Sequence, residues 1–85
     1  MNYTAHVKIL PLKDLLDPQG KAVMGGLKNL GINSIHDVRV GKHIVLQVEA
    51  DSEQKAMEVA SDATKQLLAN PVMERFEIVI QQEQN

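Results

Sequence analysis

Asp17, Pro18, Gln19 and Gly20 mark the point at which this chain has to change from strand to helix. An aspartate oxygen accepts from the orphan amides of a helix N-terminus, proline fits the first helical position because it lacks an N–H, and glycine lets a second backbone approach. The residues before the turn alternate. Over 3–10, Ala5, Val7 and Ile9 point one way and Thr4, His6, Lys8 and Leu10 the other, the period of a half-buried strand that ends at Pro11. Residues 12–16 form a short connection with Lys13 and Asp14 exposed. The residues after the turn have helical spacing. Over 18–30, Val23, Leu27 and Leu30 make one apolar stripe with Met24 at its edge, and Gly31 supplies a left-handed C-cap. Gly25 and Gly26 lie inside this helix, where each costs about 1 kcal/mol relative to alanine, so the sequence predicts a compensating close approach by another backbone.

The second half repeats the alternation. Two period-2 segments, 35–40 and 43–49, flank Gly41-Lys42 and predict a β-hairpin with Val38 and Val40 facing inward beside Ile44, Leu46 and Val48. Asp51 with Gln54 three residues on forms a capping-box pattern, and Ala56, Val59, Ala60, Ala63 and Leu67 make a second, alanine-rich helical stripe. Leu68-Ala69-Asn70-Pro71 stops this helix, with Asn70 able to take the left-handed C′ position. A last strand over 73–80 turns Phe76, Ile78 and Ile80 inward, and residues 81–85 are a polar tail. The predicted order is β-α-β-β-α-β in one domain over residues 1–85. That is the ferredoxin-like α+β sandwich, an antiparallel sheet with two helices on one face. Leu10, Val45 and Val79 then point out of the other face among Lys8, Arg39, Gln47 and Glu77, a mixed surface suited to a second copy.

Composition narrows the partners. An 85-residue chain has a small core for its surface, and with one Phe, one Tyr and no Trp that core is aliphatic, so a homo-oligomer is expected. The net charge of −2, without a basic run or aromatic stacking platforms, predicts no nucleic-acid partner. The absence of cysteine removes disulfides, thiolate nucleophiles and Cys-based metal sites, which suits a reducing cytoplasm. No segment approaches the roughly 20 apolar residues of a membrane helix.

The chain carries no catalytic constellation. His6, His36 and His43 are the only imidazoles, and in the predicted hairpin His36 and His43 do not lie opposite each other, so all three are read as exposed. Gly41-Lys42 is not a phosphate loop, because His36 stands where its first glycine is needed and His43 where Ser or Thr is needed. Gly26 and Gly31 have the loop's spacing but are followed by Ile32 instead of lysine. Ser34, Ser52 and Ser61 sit in no nucleophile motif. Arg39 and Lys42 could hold an anion or a partner's carboxylate, although two solvated charges is the plainer reading of the pattern alone.

Three stretches together resemble one family, the PurS subunit of phosphoribosylformylglycinamidine synthase. They are Asp17-Pro18-Gln19-Gly20 with Leu27 and Leu30-Gly31, then Asp37-Val38-Arg39-Val40-Gly41-Lys42, then Leu68-Ala69-Asn70-Pro71-Val72 leading into Glu74. The resemblance implies a non-catalytic small subunit, dimeric or higher, in a ligase complex of purine biosynthesis. There it bridges a glutaminase subunit and a large ATP-dependent synthetase subunit, so that ammonia from glutamine converts formylglycinamide ribonucleotide to the amidine. It also implies that Asp17, Pro18, Gln19, Gly20, Arg39, Gly41, Lys42 and Asn70 lie at subunit contacts. ATP, magnesium and glutamine then bind the partners, and no cofactor or metal binds this chain.

A different class of function shares the predicted element order. ACT-like regulatory modules bind an amino acid at a glycine-containing first β-α turn, the place that Asp17-Pro18-Gln19-Gly20 occupies here, but usually regulate an attached enzyme domain. A stand-alone acylphosphatase is a more distant reading, since no glycine-rich cradle with a following arginine comes after the first strand.

Overall fold

A computed structural model describes residues 1–13 and 15–82; Asp14 and the last three residues of the polar tail lie outside the described residues. The elements are β1 (Asn2–Pro11), α1 (Pro18–Asn29), β2 (Lys42–Glu49), α2 (Glu53–Ala63), a π-helical turn at Thr64–Leu68, and β3 (Glu74–Gln82). The strands form one antiparallel sheet in the order β2-β1-β3. The α+β class and the antiparallel sheet are as the periodicity predicts, with the element order β-α-β-α-β.

The core is a set of rows across β1. Ala5 stands between Leu46 and Ile80, and Val7 between Ile44 and Ile78, while Ile9 faces Phe76. Ala5, Val7 and Ile9 are fully buried, because α2 lies on this face and brings Ala56 and Ala60 flat onto the strands. Small side chains let the helix sit close to the sheet. The opposite face carries His6, Lys8, His43, Gln47, Arg75, Glu77 and Gln81 with the exposed Val45 and Val79. No helix among the described residues is long and apolar enough to cross a membrane.

Several local expectations give way to competing hydrogen bonds. Residues 35–40 form no strand, so the hairpin with 43–49 is absent. The reason is visible at their C-terminal end: the Val40 N–H donates to Asp17 Oδ2 at 2.9 Å and the Arg39 guanidinium is turned onto the carbonyls after β1, so the segment follows the first turn and does not pair with β2. Helix α2 is capped by Ser52, one residue beyond the predicted Asp51, with Ser52 Oγ accepting from the Lys55 N–H at 3.2 Å.

Its C-terminal end is also different. The Ala69 N–H donates to the Thr64 carbonyl, an i→i+5 bond that widens the last turn and moves the apolar stripe around the helix. Leu67 is therefore 83 % exposed, while Leu68 and Ala69 turn inward, Thr64 is buried, and its hydroxyl donates to the Ala60 carbonyl at 2.7 Å. Val59, the other large residue of the predicted stripe, is exposed as well. Asn70 is not left-handed; its Oδ1 accepts from the Val72 N–H and its carbonyl from the Met73 and Glu74 N–H groups.

Helix α1 has the predicted ends. Gly31, at φ +82°, closes a Schellman motif in which Ile32 N–H donates to Leu27 O and Gly31 N–H to Lys28 O. Its body, however, stands away from the sheet, so within one chain α2 alone covers the core face. Its stripe is largely uncovered, with Leu30 76 % exposed, and apart from the neighbouring residues and backbone of α1 itself no described atom lies within 4 Å of a Cβ built on Gly25 or Gly26. The close approach predicted there is not made within the chain.

Truncating the core strand should cost far more than truncating the displaced stripe. Ile9→Ala is expected to lose about 2–5 kcal/mol in urea unfolding, and Leu67→Ala to stay within about 0.5 kcal/mol of the parent chain.

Candidate functional site

The end of β1, the start of α1, the beginning of β2 and the turn before β3 meet around one cavity of about 530 Å³. Asp17 organises it. One carboxylate oxygen accepts from the Gly20 N–H at 3.0 Å, the N-cap bond of α1, and the other accepts from the Val40 N–H. Amide donation from Val40, then from Gly20, holds the Asp17 carboxyl below its ordinary value of 3.8; burial opposes this and the nearby Arg39 charge adds to it.

Arg39 ties the same corner from outside. Its guanidinium donates to the carbonyls of Leu12 (2.7 Å), Pro11 (3.3 Å) and Lys13, and its Nε stands 3.8 Å from an exposed Asp37 oxygen. An arginine fork directed at successive carbonyls fixes a loop that has no sheet partner of its own. Both glycines at this corner are required by contact. A Cβ on Gly20 would fall on the Val38 carbonyl oxygen and 2.7 Å from Asp17 Oδ2, and a Cβ on Gly41 would fall on the Ile9 carbonyl oxygen.

The far wall is polar. Lys42 Nζ lies 3.7 Å from Glu74 Oε2 and 3.5 Å from the Leu68 carbonyl, and Glu74 Oε1 accepts from the Asn70 N–H at 2.8 Å. The Leu12 N–H donates to the Met73 carbonyl and joins the two sides of the cavity.

Of the eight residues singled out in the sequence, Asp17, Pro18, Gln19, Gly41, Lys42 and Asn70 line the cavity. Gly20 is buried directly behind Asp17, and Arg39 lines a smaller depression next door with Asp37 and Lys21. The sequence reading missed the apolar part of the lining: Leu15, Leu16, Val40 and Met73. An adjacent leucine pair placed just before a helix cap, outside any period, was the available signal. Leu16 is 66 % exposed.

The imidazoles lie elsewhere. His6 Nδ1 and His43 Nε2 stand 3.0 Å apart on the open sheet face, with His6 Nε2 3.2 Å from Gln81 Oε1. Among the described residues no three His, Cys, Asp or Glu side chains are grouped so as to hold a metal ion. At the cavity, the one carboxylate with a shifted pKa is committed to two backbone amides, and the lysine to a carboxylate and a carbonyl. Among the described residues, this arrangement offers shape and apolar surface and no general base with a free face.

The class of molecule is a small α+β chain with its motif residues gathered at one corner of a three-stranded sheet. Comparison with known proteins gives the family. Residues 4–82 match the family model described as PurS, phosphoribosylformylglycinamidine (FGAM) synthase. The chain is 35% identical over 79 residues to the phosphoribosylformylglycinamidine synthase subunit PurS of Methanocaldococcus jannaschii, spanning 93% of this chain and 95% of that one. It is similar to the solved structure of Thermus thermophilus PurS, with a TM-score of 0.84, 40% identity and coverage of 99% and 100%. A chain in the structure of PurLQS from Thermotoga maritima superposes with a TM-score of 0.87 at 28% identity, covering 95% of this chain and 99% of that chain. This chain belongs to the PurS family. Matches of this length leave the ACT-like reading unfavoured.

Two outcomes test the corner. Gly20→Ala should destabilise the chain by about 1–3 kcal/mol, because the added methyl would fall on the Val38 carbonyl oxygen and the Asp17 carboxylate beside it cannot move without loosening its bonds to Gly20 and Val40. Asp17→Asn should lower the urea midpoint at pH 7. The lowered pKa of Asp17 makes its contribution complete above the unfolded value and lost as pH falls through the folded one, so the gap between parent and variant should narrow as the pH is taken below 3.8.

Proposed function

We propose that this chain, as a single domain of residues 1–85, is the non-catalytic small subunit of phosphoribosylformylglycinamidine synthase. In this reading it bridges a glutaminase subunit and an ATP-dependent synthetase subunit in the cytoplasm. Ammonia released from glutamine on one partner then serves the conversion of formylglycinamide ribonucleotide to the amidine on the other. ATP, magnesium and glutamine bind those partners, and this chain contributes contact surface. Membership of the PurS family over residues 4–82 supports the reading, as does the likeness to a chain of the Thermotoga maritima PurLQS structure.

The single observation that carries the site assignment is the convergence of six of the eight motif residues on one cavity with an exposed leucine at its mouth. Apolar side chains beside a half-exposed lysine form a surface that a partner can cover, burying Leu16 and Met73 and retaining the polar bonds of the rim. Asp17 and Arg39 hold this surface in shape, and Pro18, Gln19, Gly41, Lys42 and Asn70 present it. The chain is also proposed to be a homodimer or higher, since so much of α1 is uncovered in one copy.

The test is amidine formation by the purified synthetase and glutaminase subunits with and without this chain, using glutamine or ammonium as the nitrogen source. Glutamine-driven turnover should require the chain, and ammonium-driven turnover should not. Leu16→Asp combined with Lys42→Glu, both on the surface, should reduce the glutamine-driven rate about tenfold or more at limiting chain, a loss of roughly 1.4 kcal/mol or more in binding. Indifference of both rates to the chain, without co-elution with either partner, would overturn the reading.

A further inference from the structure

The open face of the sheet carries a side-chain cluster that the Asp17 cavity does not use. His6 on the central strand β1 and His43 on β2 are diagonal neighbours, since His6 pairs with Val45 in the antiparallel register and His43 lies two residues before it. Diagonal positions are about 7–8 Å apart, a span that two imidazoles bridge from either side. The rings meet at their tips. His6 Nδ1 and His43 Nε2 are 3.0 Å apart, with ring centroids 5.2 Å apart and planes tilted by 50°, so the rings do not stack.

The hydrogen bonds around the pair set its protons. Gln81 Oε1 is a carbonyl oxygen and only accepts, so His6 donates to it from Nε2 over 3.2 Å and keeps a lone pair on Nδ1. His43 Nε2 donates to that lone pair. One hydrogen thus lies between two ring nitrogens, and a cation that takes its place meets an imidazole lone pair from each strand. Metal-ligating histidines commonly have this form, with one ring nitrogen on the ion and the other held by an oxygen that fixes the tautomer and the direction of the ring.

The separation fits such an ion. Two nitrogens about 2.0–2.1 Å from one tetrahedral zinc ion stand about 3.3 Å apart, and two cis nitrogens of a tetragonal copper or nickel ion, at a similar bond length, about 2.9 Å. The 3.0 Å found here lies between these values. Both backbones are fixed by strand pairing, with β1 paired on its two sides, so the ligand positions are set before an ion arrives. His43 and Gln81 are exposed and His6 is half-buried, which leaves the outer coordination positions to water. The charges alongside are balanced, with Lys8 opposite His43 and Glu77 opposite Lys8 in the register.

We propose that His6 and His43 form a two-histidine site for a divalent cation of the zinc, copper and nickel class, with Gln81 as its positioning residue. Imidazole suits these ions, whereas magnesium takes oxygen ligands. The site is therefore separate from the ATP and magnesium chemistry of the proposed ligase complex, and it stands or falls independently of that reading. Two protein ligands, fewer than the four of a structural zinc site or the three of a catalytic one, make it an exchangeable site. On binding, the His43 proton passes from Nε2 to Nδ1 through solvent, so the ring stays neutral and no net proton is released.

The test is isothermal titration calorimetry of the untagged chain at neutral pH with zinc or nickel chloride, and with magnesium chloride as the control. One zinc or nickel ion per chain is expected, and no magnesium. His6→Ala and His43→Ala should each weaken binding at least tenfold. Gln81→Leu should weaken it about tenfold, Gln81→Glu should restore it, and His36→Ala, outside the sheet, should leave it unchanged. Copper(II) paramagnetic resonance gives a second readout, with two imidazole nitrogens coupled in the parent chain and one in His43→Ala. Because His43 is exposed, that variant keeps the fold and carries the test even where His6→Ala does not. Binding that persists at parent strength in both histidine variants, an adventitious ion only, would overturn the site, as would zinc and nickel binding no tighter than magnesium.

Discussion

A single carboxylate accepts one amide from the first turn of α1 and another from a segment more than twenty residues later. Asp17 thereby fixes the direction in which the helix leaves the sheet and the place where the chain returns to it. Arg39, on the returning segment, completes the tie by donating to carbonyls at the end of β1. Because the return point is fixed, β2 begins beside Ile9 and runs antiparallel to β1 in the register that stacks Leu46 on Ala5 and Ile44 on Val7. Gly20 and Gly41 are the two positions where this knot leaves no space for a side chain. Loss of either would separate backbones whose contact defines the cavity.

This tie also explains why one part of the fold could not be read from the residues. The alternation over 35–40 is a genuine strand pattern, and periodicity reports which sides of an extended segment are apolar. It does not report what the backbone amides bond to. Here one of them bonds to a carboxylate across the molecule, a long-range competitor that local pattern does not contain. Smaller departures have the same origin. Asp51 and Ser52 are both good N-caps, and which one acts depends on where β2 releases the chain. The π-helical turn that moves Leu67 outward depends on Ala69 fitting beside Val7 and Ile9. By contrast, the Asp17 cap and the Gly31 stop are set by adjacent residues, and both were legible.

The site was legible in a different way. Asp17, Gly20, Arg39, Gly41, Lys42 and Asn70 entered through their likeness to a family, and the structure supplies physical reasons for most of them: a shared carboxylate, two glycine contacts, a guanidinium clamp and a lysine set between a carboxylate and a carbonyl. The apolar members, Leu15, Leu16 and Met73, carry no such chemical signal. An exposed leucine has meaning only when its neighbours in space are known. The chain as a whole follows the same logic. Its core is built of small aliphatic residues under one helix, and much of its remaining apolar surface lies on α1 and at the mouth of the cavity, where covering it requires other chains.

The central claim is that the corner built by Asp17 is the surface at which partner subunits are bound. Amide hydrogen exchange, followed by mass spectrometry on the chain alone and with the synthetase and glutaminase subunits, tests it most directly. The account predicts added protection in peptides covering 15–20, 39–42 and 70–74, and little change along the open sheet face around His6, His43 and Gln81. Protection confined to that open face, with the three segments exchanging as in the free chain, would contradict it.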